Sequence, residues 1–192
     1  MKRPIEILTP LDMRLLLMKA NGPQYGSHFI QARHRAVLMV LYRAGLRLSE
    51  CLDLRPADVE FGRKTIHVRH GKGDRARFVG MDDATAEAIL AWSKYRNRES
   101  EYLFCTEQGR RLNDRVVRRS LARLAKKACI PRRVHPHGFR HTHACELAAE
   151  NVPMNVISKQ LGHARVSTTH EYIQHVNPQD VIDAVSSRKW GG

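Results

Sequence analysis

Apolar residues in this chain recur mostly at the three-to-four spacing of a helical face, and in one short stretch they alternate as strands do. Thr9 before Pro10 and Asp12 marks a helix start, with Thr9 as the cap and Pro10 in the first turn, running to about Lys19. Asn21-Gly22-Pro23 breaks it, and 24–28 has no periodicity. Val37, Leu38, Leu41 and Tyr42 predict a second helix over about 31–44, stopped by Gly45. Ser49 is read as the cap of a short helix ending before Pro56, which puts Arg47 in a tight link between helices.

The alternating stretch is 59–81. Val59–Phe61, Thr65–Arg69 and Ala76–Met81 read as strands, with glycine-containing turns at 62–64 and 70–74. Helical spacing returns over 83–97, where Ala86, Ile89, Leu90 and Trp92 are expected to face inward, and over 113–127, with Val116, Val117, Leu121 and Leu124 inward. Two further helices follow, over 137–151 and, beyond Pro153, through Val156, Ile157 and Leu161 to Gly162. Ser167 can cap a short helix carrying Tyr172, and Val181, Ile182 and Val185 stripe a last one over 178–190. The expected fold is α+β: a predominantly helical domain with a small three-stranded antiparallel sheet, one domain over 192 residues.

Charge narrows the partners. Lys and Arg number 33 against 19 Asp and Glu, a formal charge of +14, which points to a polyanion. From Arg110 to Arg140 the sign is one-sided: Arg110, Arg111, Arg115, Arg118, Arg119, Arg123, Lys126, Lys127, Arg132, Arg133 and Arg140 face a single acid, Asp114. Cys51, Cys105, Cys129 and Cys145 have no zinc-site spacing and read as buried reduced thiols. His135, His137, His141 and His143 alternate as metal ligands can, but no Cys or carboxylate stands at a partnering distance, so no metal and no cofactor is expected. The N-terminus lacks a signal-peptide core, and the run Ala36–Tyr42 is too short to span a bilayer; the expected location is the cytoplasm, on the nucleoid.

Six residues carry chemistry: Arg47, Lys72, His137, Arg140, His163 and Tyr172. Phosphoryl transfer without a metal needs fixed cations at the non-bridging oxygens, and arginine forks suit Arg47 and Arg140 to that task. Tyr172 is a plausible nucleophile whose hydroxyl, with a free pKa of about 10, needs help in losing its proton. His137 is placed to assist it, Lys72 to protonate a departing 5′ oxygen, and His163 to hydrogen-bond the phosphate. Each has an ordinary alternative: solvated surface cations, helix-capping histidines, a tyrosine ring packed in the core.

Taken together, Ala44-Gly-Leu-Arg47-Leu-Ser-Glu50, the turn lysine Lys72, His137-x-x-Arg140-His141, Leu161-Gly-His163 and Tyr172 resemble the tyrosine recombinases, or phage-type integrases. The resemblance covers the chain from about Thr9 onward. It implies Tyr172 as nucleophile, Arg47 and Arg140 as phosphate clamps, Lys72 as general acid, His137 and His163 as the site histidines, and Glu50 as a supporting acid. It further implies a 3′-phosphotyrosyl DNA intermediate needing neither ATP nor a divalent ion, and double-stranded DNA as partner. Arg75, Arg77, Arg115, Arg118, Arg119, Arg132 and Arg133 are the expected DNA contacts. A tetramer on two DNA sites is expected, with a monomer in isolation, and the segment 178–190 is expected to dock on its own body or on a neighbouring protomer. The N-terminal helical domain usual in that family is expected to be absent, the catalytic core occupying about 9–176. A type IB topoisomerase shares this nucleophile chemistry, and a DNA-binding regulator can share the fold; small size and motif spacing favour the recombinase.

Overall fold

The structure, a computed structural model, describes residues 7–69 and 76–162. Lys72, Arg75, His163, Tyr172 and the segment 178–190 lie outside the described residues. Helix α1 (Pro10–Ala20) begins as the sequence predicts. The Thr9 hydroxyl accepts from the Asp12 amide at 3.1 Å, and the Asp12 carboxylate accepts from the Thr9 amide at 2.8 Å. Helix α2 (His28–Arg43) is the central element: Ala36 through Tyr42 are buried in succession, because α1, α4 and α6 pack around it. It starts three residues before the expected position, since the Ser27 hydroxyl caps it by accepting from the Ile30 amide at 3.4 Å.

Helix α3 (Leu48–Leu52) corrects another expectation: Arg47, not Ser49, holds the cap position, and Ser49 lies inside the first turn. The reason is Glu50, whose carboxylate accepts from the Arg47 amide at 2.9 Å. Strands β1 (Val59–Glu60), β2 (Thr65–Val68) and β3 (Arg77–Gly80) form an antiparallel meander in sequence order, each shorter than predicted. Val59 pairs with Ile66, and Ile66 with Val79, which buries one face of Ile66, Val68 and Val79. On the other face His67 and Phe78 stack with ring centroids 4.8 Å apart.

Helix α4 (Asp83–Ser93) stops four residues short of the expected end, where the Ser93 hydroxyl turns back to donate to the Ile89 carbonyl at 2.9 Å. Its Trp92 is fully buried, with its indole N–H donating to the Leu103 carbonyl at 2.7 Å. Helix α5 (Asp114–Lys127) is capped by Asn113, and α6 (Pro136–Ala149) by His135, whose Nδ1 accepts from the Gly138 amide at 3.2 Å. Helix α7 (Met154–Leu161) ends at Gly162 in the left-handed conformation, φ 64°. Leu90, Val116 and Val156, all expected inside, are each 48% exposed. Each belongs to an apolar doublet, and successive residues point about 100° apart on a helix, so only Ile89, Val117 and Ile157 reach the core. Among the cysteines, Cys51 and Cys105 are buried as expected, Cys145 is half-buried, and Cys129 is exposed at φ 52° because it sits in the turn that ends α5. Among the described residues no helix is long and apolar enough to cross a membrane.

Gly45, between α2 and α3, has φ 67°, and a Cβ there would stand 2.5 Å from His143 Cδ2 and 3.0 Å from Leu161 Cδ2. Gly45→Ala is therefore expected to cost about 2–4 kcal/mol by denaturant unfolding; unchanged stability would show the link to be slack. Two buried histidines set the acid side of stability. Burial, then Arg33 and Arg123, lower the pKa of His34 to about 3; burial, then Arg43 and Arg140, lower that of His143 to about 4 against an opposing effect of Asp82. The unfolded chain takes up these protons below pH 6.5 and the folded one does not, so stability present above pH 6.5 is lost as the pH falls toward 4. Unfolding free energy at pH 5 should fall below that at pH 7 by on the order of 2 kcal/mol per histidine; equal values would mean that the rings are solvated.

Candidate active site

The first turns of α3, α5 and α6 converge on a cleft of about 240 Å³ lined by Arg47, Leu48, Ser49, Asp114, Arg118, Pro136, His137 and Arg140. Two of these helices run for 14 residues, and their N-terminal amides add partial positive charge to that of the arginines. Helix N-termini and guanidinium groups at one place favour negative charge over positive.

Arg140 is buried, 2% exposed, on the inner side of α6. Its Nη1 donates to the Gly45 carbonyl at 2.7 Å, and its Nη2 donates to the Leu161 carbonyl. A buried guanidinium held by two carbonyls keeps its charge and cannot swing, which is what a fixed phosphate clamp requires. Those carbonyls come from the link before α3 and the end of α7, so Arg140 also ties these segments together.

Arg47 lines the same cleft from the cap of α3 and is partly exposed. Its Nη1 donates to Glu50 Oε1 at 2.6 Å. Glu50 is almost wholly buried and takes two further donors from Arg77, at 2.9 Å on each oxygen. Burial alone would raise its pKa, but the hydrogen bonds from Arg77 and from the Arg47 amide, the charge of Arg77 and the hydrogen bond from the Arg47 side chain outweigh that and hold it at about 2. Glu50 is therefore an anion at any working pH. The stability linked to it is complete above the ordinary value of 4.5 and is lost only as the pH falls toward 2.

His137 stands at the rim of the cleft. Partial desolvation, then the charges of Arg140, His135 and Arg47, lower its pKa from the ordinary 6.5. The ring is thus neutral near pH 7 and able to accept a proton. The alternating histidines diverge: His135 caps α6, His137 reaches the cleft, and His141 and His143 are buried.

Of the expected DNA contacts, Arg115, Arg118 and Arg119 lie on the exposed face of α5, and Arg118 lines the cleft. Arg133 is exposed before α6. Two others are also bonded within the domain. Arg132 Nη1 donates to Asp12 Oδ2 at 2.6 Å, which engages it with the cap of α1. Arg77, whose side chain is 12% exposed, is committed to Glu50 and, through Nε, to the Gln160 carbonyl at 3.3 Å. Unlike Arg140, Arg77 is not among the residues that line the cleft.

Sequence reasoning also missed contributors. Ser49 and Asp114 line the cleft, and Asp114 is the lone acid of the basic run, a signal available in the sequence. Gln160 had no such signal: its side-chain nitrogen donates to the Gly80 carbonyl at 2.9 Å and to the Ala44 carbonyl at 3.3 Å, while its oxygen accepts from the Gly80 amide at 3.0 Å.

Known proteins share this sequence pattern and fold. The tyrosine recombinase XerA of Thermococcus kodakarensis is 40% identical over 143 residues, 73% of this chain and 50% of the relative. The chain spans about half the length of the curated relatives it matches. A crystal structure of XerA recombinase superposes with a TM-score of 0.80 at 27% identity, covering 99% of this chain and 68% of that one. The XerH site-specific recombinase, in a post-cleavage complex with palindromic difH substrate, shares the fold with a TM-score of 0.79 at 23% identity, covering 96% of this chain and 54% of that one. The model of the phage integrase family matches residues 7–179, most of the sequence, and the chain belongs to the phage integrase family.

Proposed function

We propose that this chain is the catalytic region of a site-specific DNA recombinase that cleaves and rejoins strands through a 3′-phosphotyrosyl ester at Tyr172, without metal or ATP. The observation that carries the reading is the convergence of Arg47, His137 and Arg140 from separate elements on one cleft. Relatives named as tyrosine recombinases support it, as does the XerH complex with its DNA substrate.

In this reading the scissile phosphate of double-stranded DNA sits between Arg47 and Arg140, whose forks take up the charge that grows on its non-bridging oxygens. The Tyr172 hydroxyl attacks phosphorus, His137 assists removal of its proton, and Lys72 gives a proton to the departing 5′ oxygen. His163 hydrogen-bonds the phosphate. One P–O bond forms as another breaks, so the ester conserves the bond energy and the free 5′ hydroxyl of a partner strand can reverse the step. The exposed arginines of α5, Arg115, Arg118 and Arg119, lie along the backbone flanking the break. Exchange between two sites needs several protomers, a tetramer at two sites being the arrangement proposed.

With negatively supercoiled plasmid in EDTA and no ATP, the native chain should relax DNA and leave a protein–DNA adduct on a denaturing gel, whereas Tyr172→Phe should bind the plasmid and form none. Salt-sensitive binding by the native chain with no adduct would contradict the reading. Lys72→Ala should cleave slowly on an ordinary phosphodiester and recover on DNA carrying a 5′-bridging sulfur, whose leaving group needs no proton; equal defects on both would remove Lys72 as the acid. Arg47→Ala should slow adduct formation by about a hundredfold or more, and near-native rates would place the phosphate elsewhere.

A further inference from the structure

Glu50 is 3% exposed at its side chain and accepts four donors, two on each oxygen. Arg77 supplies one to each oxygen, in the parallel fork-to-carboxylate arrangement, at 2.9 Å and 2.9 Å. Arg47 has only what remains: its amide on Oε2 and a single guanidinium nitrogen on Oε1. The asymmetry has a physical consequence. Two arginines share one buried carboxylate, and the one that takes its broad edge denies that edge to the other.

We propose that Arg77 is a positioning residue: by occupying Glu50 bidentately it limits Arg47 to one lateral contact and so keeps the Arg47 guanidinium turned to the cleft. The proposal rests on the reading of that cleft as the site of DNA cleavage. Arg77 itself does not line the cleft, and its side chain is 12% exposed, against 28% for Arg47. It is held from behind as well. Its Nε donates to the Gln160 carbonyl at 3.3 Å, and it lies so close under Gly162 that a Cβ there would stand 2.7 Å from Nε. Gln160 in turn bonds both backbone groups of Gly80, at the far end of the strand that Arg77 begins. Strand β3 and the end of α7 thus form a rigid frame for the Arg77 fork.

Without Arg77, Glu50 remains a buried anion with an open edge, and the nearest cation is Arg47. Rotation of that side chain would give it a bidentate pair with Glu50 and draw its donors off the phosphate position. Neutralising Glu50 removes that competitor, while a glutamine there still offers an oxygen to the Arg47 amide.

The test compares adduct formation on supercoiled plasmid by excess enzyme for Arg77→Met, which keeps the packing beneath Gly162, and for the double variant Arg77→Met with Glu50→Gln. The expected result is a loss of at least about tenfold in the single variant with duplex affinity and salt slope retained, and several-fold recovery in the double variant. A purely structural role gives no recovery, since the second change removes another partner; a double variant slower than the single one overturns the proposal. So does a native adduct rate accompanied by a salt slope lower by about one, which would make Arg77 a phosphate contact. A readout without turnover separates failure of this idea from failure of the recombinase reading. The NMR signal of Arg47 Nε–H, followed during titration with inorganic phosphate, should respond in the native chain and in the double variant but not in Arg77→Met. If the native chain makes no adduct, the recombinase reading fails, and that same titration still decides whether Arg77 keeps Arg47 available: an unaltered response in Arg77→Met overturns the proposal.

Discussion

The buried guanidinium of Arg140 is the constraint on which this structure turns. A charge at 2% exposure is costly unless every nearby acceptor is arranged for it, and here the Gly45 and Leu161 carbonyls are so arranged. To present those carbonyls, the chain must pass Gly45 in the left-handed conformation and close α7 at Gly162 in the same region. The positive φ at these two glycines and the ends of α2 and α7 thus bear directly on how this one arginine is held.

Around that fixed charge the remaining electrostatics are graded. Glu50 is kept ionised by two arginines, His137 is kept neutral by desolvation and neighbouring cations, and the exposed arginines of α5 extend the field along the surface. An anion entering the cleft meets donors that are already oriented, so little reorganisation is needed when charge develops. Of the acids nearby, Glu50 is shared between Arg47 and Arg77, and Asp114 is paired with Arg111.

Much of this was legible in the sequence where the signal is local. The Thr9–Asp12 box, the stop at Gly162, the three-strand meander and the basic face of α5 each depend on residues within one turn or one hairpin. The motif residues Arg47, His137 and Arg140 were legible as chemistry, and the structure brings them to one cleft; Lys72, His163 and Tyr172 lie outside the described residues. What was not legible depends on distant partners. Arg77 reads as one more surface cation until it is seen against Glu50, 27 residues earlier in the chain. The outward turn of Leu90, Val116 and Val156 depends on which member of each apolar doublet the neighbouring elements cover, and periodicity alone does not decide that.

In the proposed mechanism a rigid arginine fork, and not positive charge alone, holds the phosphate. Arg140→Lys tests it most directly, because the charge is kept and the planar pair of donors is lost. With the folded variant confirmed by circular dichroism, the account predicts covalent adduct formation on supercoiled plasmid slower by about a hundredfold or more, with duplex affinity within a few-fold of the native chain. Near-native adduct formation by Arg140→Lys would contradict it, showing that a point charge at that position is sufficient.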